Sequence, residues 1–149
     1  GYNYRMSNIC AGVGRGQMEL LNERIKQRRA NFERFLKIFE EIGWDAEYQN
    51  ERQGVFANRW LSAFYFDPKV FGPDFREELR LFLGTLNIES RPLWKTMHLQ
   101  PVYEGCQYFG NEDNAEKIFD FGLCLPSRSN LTEEEWNRIE SALIDFSKR

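Results

Sequence analysis

The chain has 149 residues, 42% hydrophobic and 29% charged, the proportions of one soluble globular domain with enough apolar material for a core. Its 20 Lys plus Arg against 23 Asp plus Glu leave a net charge of −3, which excludes a polycationic nucleic-acid binder in bulk. Aromatic residues make up 15%, too many for a chain disordered throughout.

No apolar run approaches the roughly 18 residues of a membrane helix. The opening residues Gly1-Tyr2-Asn3-Tyr4-Arg5 lack the apolar stretch and cleavage site of a signal peptide. Cys10, Cys106 and Cys124 are odd in number and widely spaced, and His98 is the single histidine. Structural zinc needs close Cys/His pairs and a disulfide framework needs an even count, so no metal site is expected. The expectation is three thiols in a reducing, cytoplasmic setting, with neither membrane nor nucleic acid as partner. The polar, aromatic start without an initiator Met reads as the middle of a longer polypeptide.

In chain order, one long helix is predicted from Ser7 to about Ile42, with Ser7 or Asn8 as N-cap and Gly43 as the C-terminal stop. Met18, Leu21, Ile25, Phe32, Phe35, Phe39 and Ile42 form a heptad stripe, with Arg28 in the missing place. Gly12, Gly14 and Gly16 each cost about 1 kcal/mol in a helix interior. They suggest close approach by another backbone, and a helix of this length calls for a second domain or a second chain. The run Arg24-Ile25-Lys26-Gln27-Arg28-Arg29 is read as a solvated face balanced by Glu19, Glu23, Glu33, Glu40 and Glu41. Gly12-Val13-Gly14-Arg15-Gly16 follows no strand and has neither phosphate-loop form.

A central strand is predicted over 54–66, ended by Asp67-Pro68. A helix follows from about Pro73 to Leu83, with Phe75, Leu79 and Phe82 inward and Gly84 as its stop. Residues 88–94 are extended, 96–105 loop-like, and 114–121 helical. Gly122-Leu123-Cys124-Leu125-Pro126 is a short buried strand. The last helix runs from Glu133 to Lys148, with Thr132 and Glu135 as a capping box, Leu131 and Trp136 as a staple, and Trp136, Ile139, Leu143 and Phe146 inward. The order implies a small α/β (α+β-like) layer, helices packed on a short sheet. The division expected is 1–43 for an N-terminal loop and long connecting helix and 44–149 for a small α/β domain.

Arg91, Trp94, Lys95, His98 and Gln100 crowd into one loop, where cations beside an aromatic plane can bind a phosphorylated or sugar-like ligand. Asn3 and Arg5 precede the long helix, whose N-terminus favours anions; the other reading is a frayed terminus. With one histidine and no GxSxG, a Ser-His-Asp hydrolase is unsupported. The chain carries no recognisable complete active site, and no catalytic residue is assigned.

Three motifs carry a resemblance: Gly1-Tyr2-Asn3-Tyr4-Arg5-Met6-Ser7-Asn8-Ile9 with the helical Gly14-Arg15-Gly16-Gln17-Met18-Glu19; Glu89-Ser90-Arg91-Pro92-Leu93-Trp94-Lys95-Thr96-Met97-His98-Leu99-Gln100-Pro101; and Gly122-Leu123-Cys124-Leu125-Pro126-Ser127 followed by Leu131-Thr132. The chain resembles the C-terminal portion of the DegT/DnrJ/EryC1/StrS family, pyridoxal-phosphate-dependent aminotransferases acting on nucleotide-linked keto-sugars. The resemblance implies the small C-terminal domain of a fold-type-I (aspartate-aminotransferase-type) fold, preceded by one long helix. The Schiff-base lysine, the acid at the pyridine nitrogen and the stacking aromatic would lie in a large domain ahead of Gly1. Lys26, Lys37, Lys69, Lys95, Lys117 and Lys148 have no context like the family's Schiff-base motif, so this chain alone is expected not to transaminate.

The resemblance also implies that Asn3 and Arg5 reach a partner subunit's site, at the cofactor phosphate or the substrate, and that His98 contacts the nucleotide sugar. Arg91, Trp94 and Lys95 share the His98 motif and are candidate substrate contacts. Thr96 stands where the family pattern carries proline, which loosens the turn before His98. The partners implied are a second copy, a dimer through the long helix, with nucleotide-sugar and amino-donor substrates. The alternative is a stand-alone oligomerisation module.

Overall fold

The computed structural model describes Tyr2, residues 4–110 and residues 113–149. The predicted N-terminal helix is present as two, α1 (Asn8–Glu19) and α2 (Leu21–Ile42), with a break at Leu20, whose φ of −101° and ψ of 0° leave the helical region. Ser7 caps α1, its hydroxyl accepting from the Cys10 N–H at 3.2 Å. Gly43 ends α2 at φ 73°, a left-handed conformation in which its N–H reaches the Glu40 carbonyl.

The apolar stripe divides later, within α2, where Leu21 is still exposed and Ile25 half-buried. Phe32, Phe35, Ile38 and Phe39 are buried, whereas Ile9, Val13 and Met18 of α1 are exposed. A Cβ built on Gly12, Gly14 or Gly16 meets nothing in this chain.

Three short strands, β1 (Ser62–Tyr65), β2 (Arg91–Pro92) and β3 (Gly122–Leu125), form an antiparallel sheet in the order β1-β3-β2. Ser62 faces Leu125 and Tyr65 faces Gly122, while Arg91 faces Cys124. The central strand is therefore β3, buried at all four residues, and β1 lies at the edge, extended only by a bridge between Glu47 and Tyr65.

This corrects the expectation of a central strand over 54–66. Residues 54–61 are irregular, and arginines take two carbonyls of the segment that a ladder would need, while Arg59 within it reaches back to Gln49. Arg29 Nη1 donates to Ala57 O at 2.6 Å, Arg28 Nη1 donates to Trp60 O, and Arg59 Nη1 donates to Gln49 O at 2.9 Å. Gly54 turns the chain at φ 80° and Arg59 is left-handed at φ 49°. Val55, Phe56 and Trp60 are exposed.

Between β1 and β2 lie α3 (Pro68–Phe71), capped by Asp67, and α4 (Phe75–Thr85). Gly84 falls inside α4, which continues past the predicted stop to Leu86. The helix α5 (Asn114–Phe121) runs directly into β3, and α6 (Glu133–Ser147) closes the chain. The capping box is formed: Glu135 N–H donates to Thr132 Oγ1 at 3.3 Å, and Thr132 N–H donates to Glu135 Oε2 at 2.9 Å.

The core is aromatic. Phe64 stacks on Phe32 with centroids 5.3 Å apart, meets Phe39 edge-on at 4.8 Å, and Phe35 lies 4.9 Å from Trp136. Trp44 joins Phe66, Phe75 and Phe146 to this cluster. Large rings bury much area each and prefer such tilted contacts, so α2, β1, α4 and α6 share one core. Gly122 marks the tightest junction. A Cβ there would lie 2.3 Å from Ile118 O and 2.3 Å from Leu93 Cδ1.

Candidate functional site

A cleft of about 450 Å³ opens where α2, the 60–61 segment, β2 and the end of β3 meet. Its chemistry comes from Arg28, Trp60, Arg91, Trp94, Ser127 and Arg128, with Glu89 as the acidic member. The two indoles are 62% and 66% exposed, flat apolar surfaces available to a ligand.

Each arginine is oriented by a partner. Arg28 Nη1 donates to Ser127 O at 2.9 Å as well as to Trp60 O. Arg91 donates through Nε and Nη2 to Glu89 Oε1 at 2.8 and 2.5 Å. Arg128 pairs with Glu135. The lining carries three guanidinium groups against the single carboxylate of Glu89, an arrangement suited to an anionic ligand bearing a flat group. The Ser90 hydroxyl, also in this lining, is buried without a hydrogen-bond partner.

Of the predicted residues, Arg91 and Trp94 are together in this cleft, and Lys95 and His98 are not among those lining it. The segment 96–105 forms two 3₁₀ turns, Met97–Leu99 and Pro101–Tyr103. Lys95 is exposed, and its carbonyl accepts from Gln100 Nε2 at 3.2 Å. His98 Nε2 lies 2.7 Å from Glu116 Oε1 on α5, and its ring lies 4.0 Å from that of Tyr108. Arg5 is exposed in the segment ahead of α1, and Asn3 lies outside the described residues.

The basic run on α2 is a solvated face only at Lys26, and its arginines are half-buried with partners elsewhere in the chain. Besides the contacts of Arg28, Arg29 pairs with Glu51 at 2.5 Å, and Arg24 Nη1 donates to Ser129 Oγ at 3.4 Å. Arg29 also covers the Phe56 ring at 4.3 Å, while Arg59 covers Phe32 at 4.1 Å. The carboxylate shared by Arg29 and Arg59 is Glu51, which is not on α2. The signal for this was Arg28 itself: a cation on the apolar stripe needs acceptors from elsewhere in the chain. Trp60, Arg128 and Glu116 carried no comparable local signal.

All six lysines are exposed. A lysine that holds an aldehyde cofactor covalently works from a desolvated pocket or beside a second cation, so the lysines here do not fit covalent attachment of pyridoxal phosphate.

Comparison with known proteins bears on this arrangement. Residues 1–144 match the family model of the DegT/DnrJ/EryC1/StrS aminotransferase family. The chain is 37% identical over 147 residues to EpsN of Bacillus subtilis (strain 168), provisionally named a pyridoxal phosphate-dependent aminotransferase, covering 97% of this chain and 37% of that protein. It is 35% identical over 145 residues to GDP-perosamine synthase of Vibrio cholerae, covering 97% of this chain and 38% of the relative. The chain thus spans 37–38% of the length of these curated relatives.

Among solved structures, S. venezuelae DesV in complex with a ketimine intermediate superposes with a TM-score of 0.83 at 21% identity, over 100% of this chain and 38% of that one. A DegT DnrJ EryC1 StrS aminotransferase from Brucella abortus gives a TM-score of 0.79 at 18% identity, over 97% of this chain and 37% of that one. These two likenesses establish the fold, helices on a small antiparallel sheet as in aminotransferases. With the family model matched over nearly the whole length, the chain belongs to the DegT/DnrJ/EryC1/StrS aminotransferase family.

Proposed function

We propose that the chain is the C-terminal part of a pyridoxal-phosphate-dependent aminotransferase acting on a nucleotide-linked keto-sugar, for polysaccharide or glycan precursor biosynthesis in the cytoplasm. Its task is binding: Arg5, with Asn3, for the cofactor phosphate, and Arg5, Arg91, Trp94, Lys95 and His98 for the substrate. The observation supporting this reading is that Arg91 and Trp94 line one cleft that is rich in arginine and faced with exposed indoles. The cofactor, when bound, supplies the electron sink of transamination; the lysine that would hold it belongs to another part of the enzyme. Residues 1–43 then serve as connecting loop and helices, joined to the small domain 44–149 through the aromatic face of α2.

The test is kinetic. In the intact enzyme, Arg5→Ala, Arg91→Ala and His98→Ala are expected to raise KM for the nucleotide sugar or lower kcat; wild-type kinetics in all three would remove the role. For the 149-residue chain, borohydride reduction with pyridoxal phosphate followed by intact mass is expected to give no stoichiometric adduct. An adduct on one lysine would overturn the division of labour.

A second reading, an oligomerisation module, is favoured by the exposed Ile9, Val13 and Met18 of α1 beside three unobstructed glycines. It predicts a homodimer through this helix; a monomer at all concentrations in light scattering would count against it.

A further inference from the structure

We infer that Glu116 is a positioning residue for His98, fixing its tautomer so that the ring offers Nδ1 to a hydroxyl group of the substrate. This rests on the proposed role of His98 as a sugar-nucleotide contact and adds to it which atom acts and what it can recognise.

The argument begins with the loop. His98 sits in the 3₁₀ turn Met97–Leu99, preceded by Thr96, so no proline ring restrains the entry to the turn. The turn is closed by Leu99 N–H donating to Thr96 O at 3.2 Å and Gln100 N–H donating to Met97 O at 3.0 Å. Those bonds place the backbone and leave the imidazole to find its own orientation.

Two groups from outside the turn provide it. Tyr108 packs against the ring in a tilted contact, centroids 4.0 Å apart and planes 31° apart. Glu116, in the first turn of α5, holds Oε1 2.7 Å from Nε2. The helix α5 runs without interruption into the buried strand β3, so Glu116 is carried by an element anchored at its far end in the sheet. The His98 side chain is 20% exposed, so it is not sealed from solvent.

An ionised carboxylate only accepts hydrogen bonds. In a neutral imidazole one nitrogen carries the proton and the other a lone pair, and the partner of the first sets which is which. Glu116 therefore puts the proton on Nε2 and leaves Nδ1 as the acceptor. An acceptor nitrogen receives a bond from a hydroxyl and gives none to a phosphate oxygen. The part of a nucleotide sugar that His98 recognises is thus a donor group rather than a phosphate oxygen, and we assign it to a hydroxyl, while the arginine-lined cleft provides for the anionic part.

The test uses the fact that His98 is the single histidine of the chain. In the 149-residue chain labelled with ¹⁵N-histidine, at a pH where the imidazole is neutral, two-bond proton–nitrogen correlations are expected to show the Nε2–H form alone. In Glu116→Ala the two nitrogen shifts should converge as both tautomers populate, and Glu116→Gln, which keeps an acceptor oxygen, should return them toward wild type. Unchanged nitrogen shifts in Glu116→Ala would overturn the proposal.

The intact enzyme supplies the second arm. Glu116→Ala is expected to raise KM for the nucleotide sugar by about tenfold, the worth of one well-oriented hydrogen bond, with partial rescue by Glu116→Gln. Impairment in His98→Ala beside wild-type kinetics in Glu116→Ala would overturn the positioning role alone. Wild-type kinetics in both would instead remove the substrate role of His98, and this inference with it.

Discussion

Arg28 and Ser127, 99 positions apart, are joined by a hydrogen bond of 2.9 Å from Nη1 to the Ser127 carbonyl, and the same nitrogen donates to Trp60 O. One guanidinium thereby ties α2 to the end of the central strand and to the irregular segment before β1. A bond from a charged donor contributes about 1.5–3 kcal/mol, and leaving a carbonyl unsatisfied adds to the loss. Arg28→Ala is expected to lower stability by about 2 kcal/mol in urea unfolding and to loosen the cleft, seen as a more mobile Trp60 in fluorescence anisotropy. An unchanged urea midpoint would show that these bonds only exchange for water.

Gly122 is required for space rather than for backbone freedom, since its φ is −97° while a Cβ would meet Ile118 O at 2.3 Å. The backbone oxygen cannot swing away as a flexible side chain could. Gly122→Ala should cost about 1–3 kcal/mol, the usual penalty of overpacking. Thermal unfolding checks it, and a stability equal to wild type would mean that α5 and β3 can separate freely.

The three thiols should divide by burial. Cys10 and Cys106 are exposed, whereas Cys124 is buried on β3, where burial pushes its thiol up from the ordinary value of 9.0. Two equivalents are expected to react promptly with a disulfide reagent in the native chain and the third only on unfolding. Because the folded form holds the proton more tightly, the stability linked to Cys124 is present below 9.0 and is lost as pH rises through the raised value. Three fast equivalents would show that the sheet opens readily.

Acid should weaken two ion pairs. The hydrogen bond from Arg80 holds the Glu77 carboxyl below its usual range, and that from Arg29 does the same for Glu51. A depressed carboxyl contributes stability above its unfolded value and loses it as pH falls through the folded one. The urea midpoint is expected to fall below about pH 4.5, less steeply at high salt because both pairs are partly exposed. Glu77→Gln should flatten the profile; an identical slope in that variant would assign the acid sensitivity elsewhere.

Local signals were enough for much of the fold. The helix α5, the strand β3 and the helix α6 with its capping box are determined within a few residues of each boundary. A threonine three positions before a glutamate, or a glycine at a helix-to-strand junction, acts on its immediate neighbours and is legible wherever it stands. Arg91 and Trp94, crowded in one short segment of the sequence, also share the lining of one cleft.

Tertiary structure decided what depends on partners far along the chain. Residues 54–61 have the apolar pattern of a strand, yet Arg28 and Arg29 take the Trp60 and Ala57 carbonyls within that segment, Arg59 reaches back to Gln49 O, and strand pairing is left to Ser62–Tyr65. The basic run of α2 looks balanced by its own glutamates, yet the carboxylate that pairs with Arg29 is Glu51, 22 positions away. The orientation of His98 is set by Glu116, 18 positions away. A hydrogen bond or ion pair between distant residues exists only once the chain has closed on itself, so propensity and periodicity, which act over a few residues, carry no record of it.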